Sequence, residues 1–200
     1  EAMVPAVTWI GHASTLVQLG GISLLTDPVF SKRASPVSFA GPARHVAPGI
    51  ALAELPHIDA VVVSHNHYDH LDEASVRGLA AQSGGSPLFV VPLGVKAWFA
   101  ALGIERVVEL DWWQSADVGA VEIVFTPSQH WSGRGLGDRM ATLWGSYAIF
   151  APDFHVWFGG DTAYSNCRGS APILVALSHR DGNALTLPSG PPLMNQSFKI

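Results

Sequence analysis

The densest chemistry in the 200-residue chain is the run His65-Asn66-His67-Tyr68-Asp69-His70. Three imidazoles and a carboxylate this close together offer the nitrogen and oxygen donors that suit zinc or another borderline divalent cation. In an extended or loop backbone alternate residues point the same way. His65 and His67 can therefore close on one ion while Asp69 and His70, one step further, face a second. Further donors must come from distant positions, and two stand after apolar runs: His130 in Gln129-His130-Trp131, and Asp161 in Phe158-Gly159-Gly160-Asp161-Thr162. Paired glycines before an acid allow close backbone approach, and a carboxylate can bridge two cations. Ser14, Ser128 and Ser132 also lie near histidines, but no oxyanion arrangement for a Ser/His/Asp triad is readable around them. The glycine-rich stretch 132–139 lacks the Gly-Lys-Thr/Ser ending of a phosphate-binding loop. Arg134 within it is a candidate for holding a phosphate bidentately, and Trp131 for lining a substrate groove. Trp9, Phe30, Phe39, Trp112 and Trp113 suit such a groove too, although aromatic residues most often serve the core. His12 reads as a buried histidine behind the site, while His45, His57 and His155 have no sequence neighbours that raise them above surface residues.

The elements that must position these groups are short strands with helices outside them. Val7 to Ile10, Thr15 to Leu19 and Ile22 to Thr26 are apolar or β-branched runs, and Gly20-Gly21 between the last two is a hairpin signal. Residues 31–56 carry four prolines and little periodicity, a long irregular excursion of the kind that walls a pocket. Ile58 to Ser64 reads as a strand covered on both faces, and the histidine cluster follows at once. Asp72 to Gln82 fits a helix with acids at its start, Leu88 to Val91 a strand, Val95 to Leu102 a helix stopped by Gly103, and Arg106 to Leu110 a strand. Val121 to Thr126, Leu143 to Phe150 and Phe154 to Phe158 complete the strands, and beyond about residue 166 only Ile173 to Leu177 keeps a strand-like period. The pattern is α+β.

Composition narrows the partners. Apolar residues make up 48% of the chain and charged ones 14%, which excludes a disordered or coiled-coil chain. A net charge of −5 gives no broad electrostatic surface for nucleic acid. The single cysteine, Cys167, rules out an intrachain disulfide and a cysteine-rich metal site. No stretch reaches the roughly 20 apolar residues of a membrane span, and no signal peptide is visible, although the chain begins at Glu1. A cytoplasmic or peripheral-membrane protein is expected.

The order Asp27 (in Leu-Leu-Thr-Asp-Pro), His65-x-His67-x-Asp69-His70, His130, Asp161 resembles the metallo-β-lactamase superfamily. Within it, the strings at 8–15 (Thr-Trp-Ile-Gly-His-Ala-Ser-Thr), 26–36 (Thr-Asp-Pro-Val-Phe-Ser-Lys-Arg-Ala-Ser-Pro) and 129–135 (Gln-His-Trp-Ser-Gly-Arg-Gly) are similar to the N-acyl-phosphatidylethanolamine phospholipase D branch. The likeness runs from about Val7 to Tyr164. It implies an αβ/βα sandwich of two mixed β-sheets flanked by helices, over a hydrolase domain at 1–165, with 166–200 a divergent or truncated tail. It further implies two Zn²⁺ ions, with Mn²⁺ or Fe as alternatives: His65, His67 and His130 on one, Asp69 and His70 on the other, Asp161 bridging, and Asp27 behind them. Asp69 is then the acid that orients water or shuttles a proton, and the implied reaction is phosphodiester hydrolysis of an N-acylated phospholipid through metal-activated water. The family's last histidine ligand, some 60 residues after the bridging acid, has no counterpart here: His179 is the only histidine downstream of Asp161 and stands at another spacing. A weaker second cation and self-association into a homodimer are the expected consequences. A lactonase or other hydrolase of a small soluble substrate, and a non-catalytic metal-binding domain, are the competing readings.

Overall fold

The computed structural model describes residues 4–152 and 154–163 together with the strand Val175–His179. Two sheets pack face to face. The first runs β1 (Ala6–Gly11), β2 (Ser14–Leu19), β3 (Ile22–Thr26), β4 (Ala60–Val62), β5 (Leu88–Pro92), β6 (Val107–Leu110) in spatial order. Pairs among β1 to β3 are antiparallel and those from β3 to β6 parallel. Gly20 and Gly21, at φ 59° and 83°, form the two-residue turn that matches strand twist and closes the β2–β3 hairpin. The parallel steps need long crossovers. These are the irregular segment between β3 and β4, helix α1 (Glu73–Ala80) and helix α2 (Lys96–Ala101).

The second sheet has the order β11-β10-β9-β8-β7, with β7 Ser115–Val118, β8 Val121–Thr126, β9 Ser146–Phe150, β10 Phe154–Phe158 and β11 Val175–His179. In place of the mixed pairing expected for this sheet, each of its described pairs is antiparallel. Tight connections at Gly119-Ala120 and around Ala151-Pro152 permit only that sense for β7–β8 and β9–β10. Of the segment 166–200, expected as a tail, β11 alone lies within the described residues, and it extends the sheet by pairing Phe154 with His179 through Phe158 with Val175.

Alternation decides the layers. Val17, Leu24, Ala60, Val62 and Val90 face Ile123, Phe125, Tyr147, Val156 and Phe158 between the sheets. Leu16, Leu25, Val61, Val63, Phe89 and Val91 face outward under Val76 and Leu79 of α1 and Phe99 of α2. Sheet one is thus buried on both faces, which is why its strands read as continuous apolar runs. Each fully buried side chain of this size stabilises by about 1.5–3 kcal/mol relative to exposure. Asp72 caps α1 by accepting from Ser75 N, so the helix proper starts one residue later than the sequence suggests.

Two departures from the sequence reading have physical causes. β9 begins at Ser146 rather than Leu143, because Leu143 N donates to Leu93 O and Gly145 N to Ser64 O, both in sheet one's territory. β7 carries no apolar run at all; Ser-Ala-Asp-Val at a sheet edge is held by its ladder to β8.

Candidate metal centre

Strand direction gathers the site. β3 and β4 are parallel, so their carboxyl ends, followed by Asp27 and by Ser64-His65, lie at one rim. β8 and β10 both run antiparallel to β9 and end at a common rim, followed by His130 and Asp161. The Gly145-to-Ser64 hydrogen bond, 2.9 Å, joins the two rims. Gly160, at φ 55°, is required for this approach: a Cβ there would lie 2.5 Å from Ser64 Cβ.

His65 Nε2 lies 2.8 Å from His67 Nδ1, and His130 Nε2 lies 3.3 Å from the same atom; the donors of all three histidines fall within 4.8 Å of one another. Ligand bonds of about 2.0–2.1 Å at tetrahedral angles put donors about 3.3–3.4 Å apart. Asp161 spans toward the neighbouring position, its Oδ1 3.3 Å from His70 Nε2 and its Oδ2 3.7 Å from His130 Nε2. Asp69 Oδ2 is 3.8 Å from His70 Nε2 and 3.1 Å from His12 Nε2. His12, Asp69 and His70 form a second group of convergent donors. The third close group, Asp27 with His65 and His70, is spent on the fold. Asp27 accepts from Ser64 N at 2.6 Å, Ser64 Oγ at 2.5 Å and His70 Nδ1 at 2.6 Å. His65 Nδ1 likewise meets Ser64 Oγ at 2.9 Å. His65 and His70 therefore each anchor one ring nitrogen and turn the other into the site, the arrangement metal-binding histidines need. His70 Nε2 is buried without a well-formed hydrogen bond; with its proton released, that nitrogen would be open to a cation facing Asp69 and Asp161.

Charge is distributed to match. Burial, with the neighbouring imidazoles, pushes His65 well below the usual histidine range, and burial with His130 brings His67 down to about 4. His130 is lowered by burial in the same way, though Asp161 works against it. These three are neutral at neutral pH, their lone pairs free to ligate. Burial opposes protonation of His70 as well, but Asp27 and Asp161 outweigh it and raise that imidazole well above its ordinary value. Burial raises Asp27 also, offset in part by His70 and Ser64. We place the proton of this pair on His70, since Asp27 accepts three hydrogen bonds and donates none. For Asp69 burial acts upward, yet the His12 hydrogen bond and the His70 charge hold its carboxyl well below the carboxylate range. Asp161 is lowered against its burial by His70 and His130.

Arg134, read from sequence as a phosphate holder, is otherwise employed: its Nη1 donates to Asn66 O at 2.9 Å and Leu71 O at 2.7 Å, and its guanidinium lies 4.0 Å over the Tyr68 ring. Together with Gly133 N donating to Asn66 Oδ1 at 2.6 Å, it staples the loop after His130 to both ends of the histidine loop. Asn66 and Ser64, whose side chains bond the histidine loop to its neighbours, have no sequence signal beyond adjacency to the histidines. Trp131 sets its edge against His67, ring centroids 4.3 Å apart, and is 40% exposed. Trp9 donates to His12 O, Trp112 donates to Trp144 O, Phe30 packs under α1, and Phe39 and Trp113 point to solvent. Ser14 Oγ donates to Asp27 O and Ser132 Oγ to Thr142 O, so neither activates a nucleophile. His45 and His57 are exposed, and His155 packs on Phe150. Among the described residues no helix is long and apolar enough to cross a membrane.

Comparison with known proteins gives the family context. A β-lactamase superfamily domain model matches residues 23–174. An uncharacterized protein of Mycobacterium tuberculosis is 47% identical over 162 residues, 80% of this chain and 43% of that one. An N-acyl-phosphatidylethanolamine-hydrolyzing phospholipase D of Caenorhabditis elegans is 40% identical over 166 residues, 78% of this chain and 46% of that one. The chain thus spans less than half the length of these relatives. An isothiocyanate hydrolase from Delia radicum gut bacteria superposes with a TM-score of 0.60 at 24% identity, covering 80% of this chain and 64% of that one, a likeness of fold.

Proposed function

The chain belongs to the metallo-β-lactamase superfamily, and from that premise we propose that it is a metal-dependent phosphodiesterase of phospholipase D type, acting on N-acyl-phosphatidylethanolamine-like phospholipids. The observation that carries the reading is the convergence of His65, His67 and His130 beside an Asp161 whose two oxygens face His70 and His130. His65, His67 and His130 would hold one cation, Asp69 and His70 a second, and Asp161 both; the nitrogen-rich donor set suits zinc, with manganese or iron as alternatives. Two divalent cations held there supply Lewis-acid polarisation of a phosphoryl oxygen and a water acidified toward neutral pH. The side chains do the rest. Asp69, ionised and half-buried, is placed to orient the attacking water. His70 keeps its ring fixed through Asp27, and Trp131 presents an apolar edge next to His67 where an acyl or glycerol segment would lie. The lipid preference is supported by the 40% identity to the Caenorhabditis elegans enzyme.

The test is hydrolysis of bis(4-nitrophenyl) phosphate and of N-acyl-phosphatidylethanolamine vesicles by the chain loaded with Zn²⁺ or Mn²⁺. Removing a ligand forfeits several kcal/mol of charge stabilisation, so His67→Ala is expected to lose about 100-fold or more. Turnover indifferent to metal and to His67 sinks the hydrolase reading. Cleavage of the small diester without the phospholipid removes the lipid part alone.

A further inference from the structure

We propose that His12 is a positioning residue for Asp69, the counterpart of Asp27 behind His70; the inference rests on the metal-centre reading above. Asp69 and His70 are adjacent in sequence, and each is met from behind by a residue of the β1–β2–β3 unit. Both of those residues adopt the left-handed backbone that side chains rarely take, His12 at φ 51° and Asp27 at φ 31°. Such strain persists only where the surroundings over-determine it, and it gathers at functional sites. Here one hydrogen-bond network determines both. His12 O accepts from Trp9 Nε1 at 3.0 Å, and Ala13 O accepts from Thr26 Oγ1 at 2.7 Å. Ser14 Oγ donates to Asp27 O at 2.7 Å and accepts from Val29 N at 3.0 Å. The turn that carries His12 and the strand end that carries Asp27 are therefore a single rigid piece.

His12 is 8% exposed, with its ring edge-on to His70 at 5.1 Å and its Nε2 3.1 Å from Asp69 Oδ2. Among the described residues this is the one side-chain hydrogen bond that Asp69 receives, and the Asp69 side chain is about a third exposed, at 32%. Without it the carboxylate has rotamers to choose among; with it, Oδ2, the oxygen 3.8 Å from His70 Nε2, is held in one orientation. Carboxylate ligands oriented in this way lose about 10–100-fold in metal affinity when the orienting partner is removed.

Zn²⁺ alone, titrated into the full 200-residue chain against a chelator, and Co²⁺ alone, followed by its visible absorption, separate the outcomes. His12→Asn suits the left-handed backbone but is too short to reach Asp69. It is expected to weaken the second ion about 10–100-fold, leave the first unmoved and shift the second ion's Co²⁺ spectrum. His12→Gln carries an amide nitrogen to the place of Nε2 and is expected to recover most of the loss. A second ion held by His12→Asn as tightly as by the wild type overturns the proposal. So does a His12→Gln variant as weak as His12→Asn, because the imidazole is then itself a ligand. A wild-type chain that takes up no cation overturns the metal-centre reading and this inference together, an outcome distinct from two ions bound with and without His12.

Discussion

The two walls of the candidate centre are built differently. On the sheet-one wall, Asp27, Ser64, His65 and His70 are buried and tied to one another and to backbone, each ligand ring anchored at the nitrogen that faces away from the site. On the sheet-two wall, the side chains of His130 and Asp161 are 19% and 31% exposed and make contacts chiefly with the ligands opposite. The difference follows from the sheets. Strands buried on both faces end in rigid rims, whereas β8 shows solvent at Glu122 on its outer face. One wall is fixed by its own hydrogen bonds and the other is more open to solvent.

Substitutions on each wall sharpen that contrast. Asp27→Ala leaves His70 Nδ1, Ser64 N and Ser64 Oγ buried without their acceptor, and is expected to cost about 3–5 kcal/mol in urea unfolding. His130→Ala, on the more open wall, is expected to cost about 1 kcal/mol or less of stability while still abolishing tight binding of the first cation. Equal losses would erase the distinction. Gly160→Ala, at the seam, combines a positive φ with a Cβ set against Ser64 and is expected to cost about 2–3 kcal/mol. Chelator competition on that variant should show Asp161 displaced from both cations. Arg134→Met removes two hydrogen bonds to the histidine loop, at about 1 kcal/mol each. It should weaken the first cation through loop geometry; a phosphate-holding role would instead raise KM and leave metal affinity untouched.

A further expected effect is on pH dependence without metal. His65, His67 and His130 titrate lower in the folded chain than in the unfolded one, so acid favours unfolding: their stability is present near neutral pH and is lost as pH falls from 6.5 toward about 4. His70 has the opposite sign. Its folded value is raised, so its contribution is complete below 6.5 and declines as pH climbs through that raised value. The urea midpoint of the metal-free chain should rise from pH 4.5 to about 6.5 and then flatten or fall. A midpoint indifferent to acid over that range would show the sheet-one histidines to be less enclosed than their burial implies.

Much of this architecture is legible in the residues. β8 and β10 occupy the spans their apolar runs mark, and Gly20-Gly21 reads directly as the hairpin that the structure contains. The donors of the centre are visible as a histidine-rich loop after an apolar strand, because side-chain chemistry survives in one dimension. What does not survive is the use of backbone groups. Arg134 looks like a free guanidinium until Asn66 O and Leu71 O are seen to occupy it. Ser64 looks like a strand terminus until its hydroxyl is found between Asp27 and His65. β7 has no pattern of its own, since an edge strand as short as Ser-Ala-Asp-Val is defined by its neighbour. Partners of this kind are set by topology, and spacing along the chain carries no record of them.

Strand β4 and the residue after it, Ala60 to Val63, have no solvent exposure, and Ser64 and His65 follow without a break. Amides in such a segment exchange with deuterium only when the whole domain opens. The loop that carries most of the proposed ligands is therefore anchored in fully buried strand. A cation held at the proposed centre would exchange by movement of the opposite side, and its rate should track the dynamics of the 129–140 loop, not global unfolding.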